Sequence, residues 1–117
     1  MRTRYFHGGN RGLRVGQYIL PQSETGVQGM SHPLCRKDRV YFTPHIDHAR
    51  FFGAAATNPV VYEVAPEGEI EHDPDTPQGI SYASPKAKII AIQKIPGKVI
   101  KKHRKKLQIG PPTAKTV

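Results

Sequence analysis

Glycine and proline interrupt this chain at such short intervals that a bundle of long helices has no room to form. Eleven of each fall within 117 residues. Both residues are unfavourable inside helices and suit turns and strand ends. The pattern predicts strands joined by turns and, at this length, one domain with a modest core. With 37% hydrophobic and 23% charged residues, the rest of the composition is that of an ordinary soluble globular protein. Cys35 is the single cysteine, which excludes an intramolecular disulfide framework and an all-cysteine metal site and fits a reduced, cytoplasmic setting. No apolar run reaches membrane-spanning length, and the opening MRTRYFHGG lacks the apolar stretch of a signal peptide.

Local patterns divide the chain further. TRYFHG reads as a first strand ended by glycines, and GLRVGQYILP as extended structure with a turn at Gly16. Residues 22–33 have loop composition. RVYFT (39–43) is rich in strand formers. TPHIDHARFFGAAA then carries the clearest helix signal, with Thr43 to cap, Pro44 at the first helical position and Asp47 near the positive end. PVVYEVAP (59–66) is a strand between prolines, GEIEHDPD a short extended piece running into a turn, and ASPKAKIIAIQKIP contains a long strand with Ile89, Ile90 and Ile92 directed inward. Strands surrounding one helix predict an α+β fold with a mainly antiparallel or split sheet.

Charge is distributed unevenly. Residues 1–75 hold 8 Lys and Arg against 9 Asp and Glu; residues 76–117 hold 10 Lys and Arg and no acid. The basic character therefore belongs to the C-terminal part. The expected division is a domain over 1–96 and a basic tail over 97–117, the tail a candidate for an anionic partner. Val99, Ile100, Leu107 and Ile109 leave open that it adds an edge strand. Without interleaved aromatics, any nucleic-acid binding there would be electrostatic.

Taken singly, the candidate chemical residues are ambiguous. His7 before Gly8 and Gly9 fits a plain strand end, or a site where a ligand lies against bare backbone. Tyr41 reads as a cross-strand aromatic and Asp73, before Pro74, as a turn carboxylate. The six histidines (7, 32, 45, 48, 72 and 103) form no ligand pattern, so no metal is expected. Cys35 has no evident base to activate it, and HGGNRG lacks the spacing of a phosphate-binding loop.

The order of these residues says more than any one of them. YFHGGNRGLRVGQYILP, RVYFTPHIDHARFFGA, VVYEVAPEGEIEHDPD and SYASPKAKIIAI follow one another as the conserved blocks of the rifamycin ADP-ribosyltransferases do, and over roughly residues 4–95 the chain resembles that family. The resemblance implies an ADP-ribosyltransferase-like split sheet with an NAD-binding cleft and a triad of His7, Tyr41 and Asp73. It implies that His7 bonds the adenosine-side ribose, that Gly8 and Gly9 let the backbone approach the nicotinamide amide, and that Tyr41 stacks on the nicotinamide ring. Asp73 would stabilise positive charge on the nicotinamide ribose, and Arg11 or Arg14 would meet the pyrophosphate. The implied activity is NAD-dependent mono-ADP-ribosyl transfer to a rifamycin-like drug, a protein or a nucleic acid. The other reading is a non-catalytic nucleic-acid-binding module acting through the basic tail. The sequence departs from the family pattern at Ala83, where the family's SYR block carries arginine, and in the shorter TPQGI segment.

Overall fold

A computed structural model describes residues 3–21, 38–73, 77 and 79–106. Cys35, His32, the 22–33 segment and the chain beyond Lys106 lie outside the described residues. The elements follow in the order β1 (Tyr5–Asn10), β2 (Tyr18–Ile19), β3 (Val40–Phe42), α1 (Ile46–Gly53), β4 (Pro59–Glu67), β5 (Glu71–His72), β6 (Tyr82–Ser84), β7 (Lys86–Gln93) and α2 (Gly97–Lys106). They form two antiparallel sheets, one ordered β1-β4-β7-β2 and the other β3-β6-β5. This is the expected α+β class with a split sheet.

Strand alternation explains the layers. In β4, Val60, Tyr62 and Val64 point to one side and join Ile19, Val40, Phe42, Ala87 and Ile89 in a core between the two sheets. From the other side of the larger sheet, Val61 joins Phe6, Ala49 and Ile95 in a second cluster, roofed by the helices through Ile46, Val99 and Ile100. The molecule is thus layered as helices, four-stranded sheet, three-stranded sheet.

Four local readings need correction. The glycines do not end the first strand: Gly8 and Gly9 lie inside β1, paired with Val61 and Val60. Helix α1 begins at Ile46 rather than at the Thr43-Pro44 step. Thr43 Oγ1 instead accepts the His45 N–H at 3.1 Å, so the hydroxyl satisfies the approach to the helix and not its first turn. In β7, Ile89 is buried, but Ile90 and Ile92 are 47% and 43% exposed. Val64 pairs with Ile89 and Glu63 with Ala91, so Ile90 is the extra residue of a β-bulge, which re-aims its neighbours. Residues 97–106, expected as tail or edge strand, are helical.

The two sheets meet at one rung. Phe6 and Thr43 exchange backbone hydrogen bonds at 2.7 and 2.9 Å. On its other edge β1 pairs with β4 along its whole length, Phe6 included, while β3 pairs with β6, so this rung joins the backbones of the two sheets.

Candidate active site

His7 lies one residue past that rung, on the face of β1 that looks toward Tyr62 of β4. Its Nδ1 is 2.7 Å from the Tyr41 carbonyl oxygen. A carbonyl can only accept, so Nδ1 carries the proton and, in the neutral ring, Nε2 is left as an acceptor. Burial lowers the His7 pKa, with the Tyr41 carbonyl bond opposing in part, and this favours the neutral ring. The imidazole therefore spans the opening between the sheets and offers a lone pair.

The two glycines after it differ in role. A Cβ at Gly8 would fall 2.1 Å from the Ala49 carbonyl oxygen and 2.5 Å from the Gly53 nitrogen. The bare α-carbon of Gly8 is thus filled by helix α1, not left for a ligand. At Gly9 a Cβ would sit 3.3 Å from His7 Nε2. Gly9 keeps open the side on which the histidine presents its acceptor.

Tyr41 and Asp73 are related through the smaller sheet. Tyr41 pairs with Ala83, which pairs with Glu71. The next rungs carry Phe42, Tyr82 and His72, and then Ser81 with Asp73, whose N–H donates to the Ser81 carbonyl at 2.9 Å. By alternation Tyr41, Ala83, Glu71, Ser81 and Asp73 share the face opposite Phe42 and Tyr82. Tyr41 and Asp73 stand on either side of β6, two strand spacings apart and offset by two residues along the strands, roughly 12 Å between them. Tyr41 is half-buried, and Asp73 is only 6% exposed.

Sequence reasoning missed a second pair on this face. Arg39 Nε lies 3.5 Å from Glu71 Oε2, with the Arg39 side chain 19% exposed. Arg39 lies two residues before Tyr41, and Glu71 two before Asp73, so the ion pair reaches across β6 beside the candidate residues. Ala83, between them, is small enough to be passed over. Arg39 supplies a guanidinium on the face where the family pattern would place one at position 83.

On the larger sheet, an open hollow of about 210 Å³ is walled by Leu13, Val60, Ile92 and Tyr62, the β4 partner of His7, and rimmed by Arg11 and Lys94. Tyr62 builds it. The buried ring forms the floor, while its hydroxyl donates to the Asn10 carbonyl and accepts the Leu13 N–H at 3.3 Å. Arg11 is held at the rim by its own N–H to Asn58 O at 2.9 Å. Arg14 is exposed and outside the hollow, with its N–H donated to Gln17 Oε1 at 2.6 Å. Among the described residues, no three His, Cys, Asp or Glu side chains gather as a metal site. Nor is any helix long and apolar enough to cross a membrane.

The family model described as rifampin ADP-ribosyl transferase (Arr-ms) matches residues 5–102, and the chain belongs to that family. No curated protein sequence matches it. The matched segment contains His7, Tyr41 and Asp73 and runs into α2.

Proposed function

We propose that the protein is an NAD-dependent mono-ADP-ribosyltransferase whose acceptor is a rifamycin-type molecule. The observation that carries this reading is the imidazole of His7, fixed through Nδ1 by the Tyr41 carbonyl, with Nε2 beside bare Gly9. A hydroxyl-bearing ligand such as a ribose meets an acceptor there, with no Cβ in its way. Arg11, at the rim of the hollow, fits a pyrophosphate. Arg14 has no such placement.

In this reading the nicotinamide ring stacks on Tyr41, and its ribose lies toward Asp73. The bond between the ribose anomeric carbon and the ring nitrogen breaks. Its electron pair leaves with nicotinamide, which departs neutral and needs no strong acid. Positive charge develops on the ribose, where a carboxylate in a water-poor setting opposes it most effectively. Asp73 is suited to that role by its burial. An acceptor hydroxyl then bonds to the same carbon and gives up its proton to solvent.

Labelled NAD incubated with the protein and rifampicin, cell protein or nucleic acid tests this directly. Label in rifampicin with stoichiometric nicotinamide release is expected. A protein that neither releases nicotinamide nor gains melting temperature with NAD is not this enzyme.

A further inference from the structure

Helix α2 is divided lengthwise. At 3.6 residues per turn, Lys98, Lys101, Lys102 and Lys105 fall on one side with Lys106 at its edge, and all five are exposed. Val99, Ile100, His103 and Arg104 fall on the other. Val99 and Ile100 pack on the cluster of Phe6, Ala49, Val61 and Ile95. The His103 ring meets Phe51 edge-on at 5.4 Å between centroids. Arg104, 6% exposed, donates from its guanidinium to the Ala56 carbonyl at 2.7 Å. The apolar side is therefore in use by the fold, and the lysine side is held outward along about 12 Å of helix axis.

None of the five lysines is in an ion pair among the described residues. Residues 76–117 contain no acid, and Asp47, the acid on α1 whose charge reaches His103, is bonded to Arg50 at 3.3 Å. Lys98 with Lys101 and Lys102, Lys101 with Lys105, and Lys102 with Lys106 are like charges at i,i+3 or i,i+4, an arrangement that opposes the helix. The helix C-terminus favours the lysines of the last turn, but no acidic side chain among the described residues pairs with any of the five. A polyanion would.

We propose that this lysine stripe is a docking surface for the phosphate backbone of duplex nucleic acid. An amphipathic helix that binds a lipid surface buries its own apolar side in the bilayer, and here that side is covered by the core. The outward face of α2 carries no aromatic or aliphatic residue for lipid and none to stack on unpaired bases. What remains is a rod of positive charge with rows on both flanks, Lys101 and Lys105 on one and Lys102 and Lys106 on the other. That matches the paired phosphate strands beside a groove and reads no sequence. The proposal is independent of the transferase reading.

The test uses the full chain and a mixed-sequence duplex DNA of about two helical turns, followed by fluorescence anisotropy. Five phosphate contacts predict a loss of affinity of several hundred-fold, on the order of the salt to the power 4.5, between 50 and 200 mM salt. Replacing all five lysines by glutamine should cut affinity at least tenfold at low salt, with the melting temperature unchanged or raised. Replacing them by arginine should preserve binding. Amine-reactive labelling of the unmodified protein gives a reading that needs no variant: duplex should protect Lys98, Lys101, Lys102, Lys105 and Lys106. Absence of duplex binding at low salt, unchanged binding by the glutamine variant, or labelling of these lysines undiminished by duplex would each overturn the proposal. So would preference for phosphatidylserine vesicles over duplex in competition.

Discussion

Gly8 of the first strand and Gly53 at the end of helix α1 meet without side chains between them: a Cβ added at Gly8 would lie 2.9 Å from the Gly53 α-carbon. The contact sets how closely the helix lies on the sheet, and it separates two glycines that the sequence presents as a pair. Gly8→Ala forces backbone against backbone and should cost about 3 kcal/mol in denaturant unfolding. Gly9→Ala meets only the edge of the His7 ring. It should fold with nearly the parent stability and lose most of the melting-temperature gain produced by NAD. Parent-like stability of Gly8→Ala would show that the helix can move aside.

Asp73→Asn keeps shape and removes charge. If the carboxylate acts on charge that develops only in the transition state, nicotinamide release should fall by orders of magnitude while NAD affinity changes little. Comparing single-turnover rates with NAD titration by melting temperature separates the two. Loss of affinity alone would move the role to substrate binding.

Arg39 and Glu71 are expected to act by position. Arg39→Ala removes the guanidinium beside Glu71 and loosens β3 relative to β5 on the face that Tyr41 shares. Turnover should fall roughly tenfold, with Arg39→Lys recovering part of it, because lysine restores charge but not the planar fork. The pair is partly exposed, so its effect on stability should stay within about 1 kcal/mol. Equal loss in the alanine and lysine variants would point to shape rather than charge.

Acid should weaken the fold through its histidines. Burial lowers the pKa of His7. Burial, then Lys102 and Lys106, lower that of His103. Above the ordinary histidine value of about 6.5 both rings are neutral, folded or unfolded, and stability is unaffected. Below it the unfolded chain takes up protons first, so stability falls with pH until the folded pKa is reached. The melting temperature should be lower at pH 5 than at pH 7, and His103→Gln should shrink that difference. An unchanged difference would assign the acid sensitivity elsewhere.

Truncation after Gly97 tests whether the C-terminal segment is an appendage. It removes Val99 and Ile100 from the second core cluster and the bond from Arg104 to Ala56. A loss of about 2–4 kcal/mol is expected from the exposed apolar surface. A truncated chain that melts like the parent would make α2 dispensable.

Much of the fold was legible because strands with bounding glycines and prolines announce themselves locally. β3 and β4 lie where the sequence predicts them, whereas β1 runs on through Gly8 and Gly9 to Asn10 because β4 pairs with it over that whole length. The resemblance names His7, Tyr41 and Asp73 in that order. The misreadings concern what distant residues do to a local pattern. Ile90 looks as apolar as Ile89, and only pairing with β4 shows it to be the bulge residue. Gly8 looks like Gly9 until α1 is packed on it. In the basic segment, lysine density masked a helical period that is visible once Val99, Ile100, His103 and Arg104 are read as one face. The Arg39–Glu71 pair carried no signal, because neither residue is unusual until β6 brings β3 and β5 to one surface.

The single rung between Phe6 and Thr43 also leaves the two sheets with little backbone in common. On either side of it each sheet keeps its own ladder of hydrogen bonds. With so little backbone in common, the sheets are held together mainly by the apolar residues that Val40 and Phe42 share with Val60, Tyr62 and Val64, and the His7–Tyr41 bond is a further polar tie between them. A ligand that met His7 would therefore touch a side chain anchored to both sheets, and its binding would be felt in each.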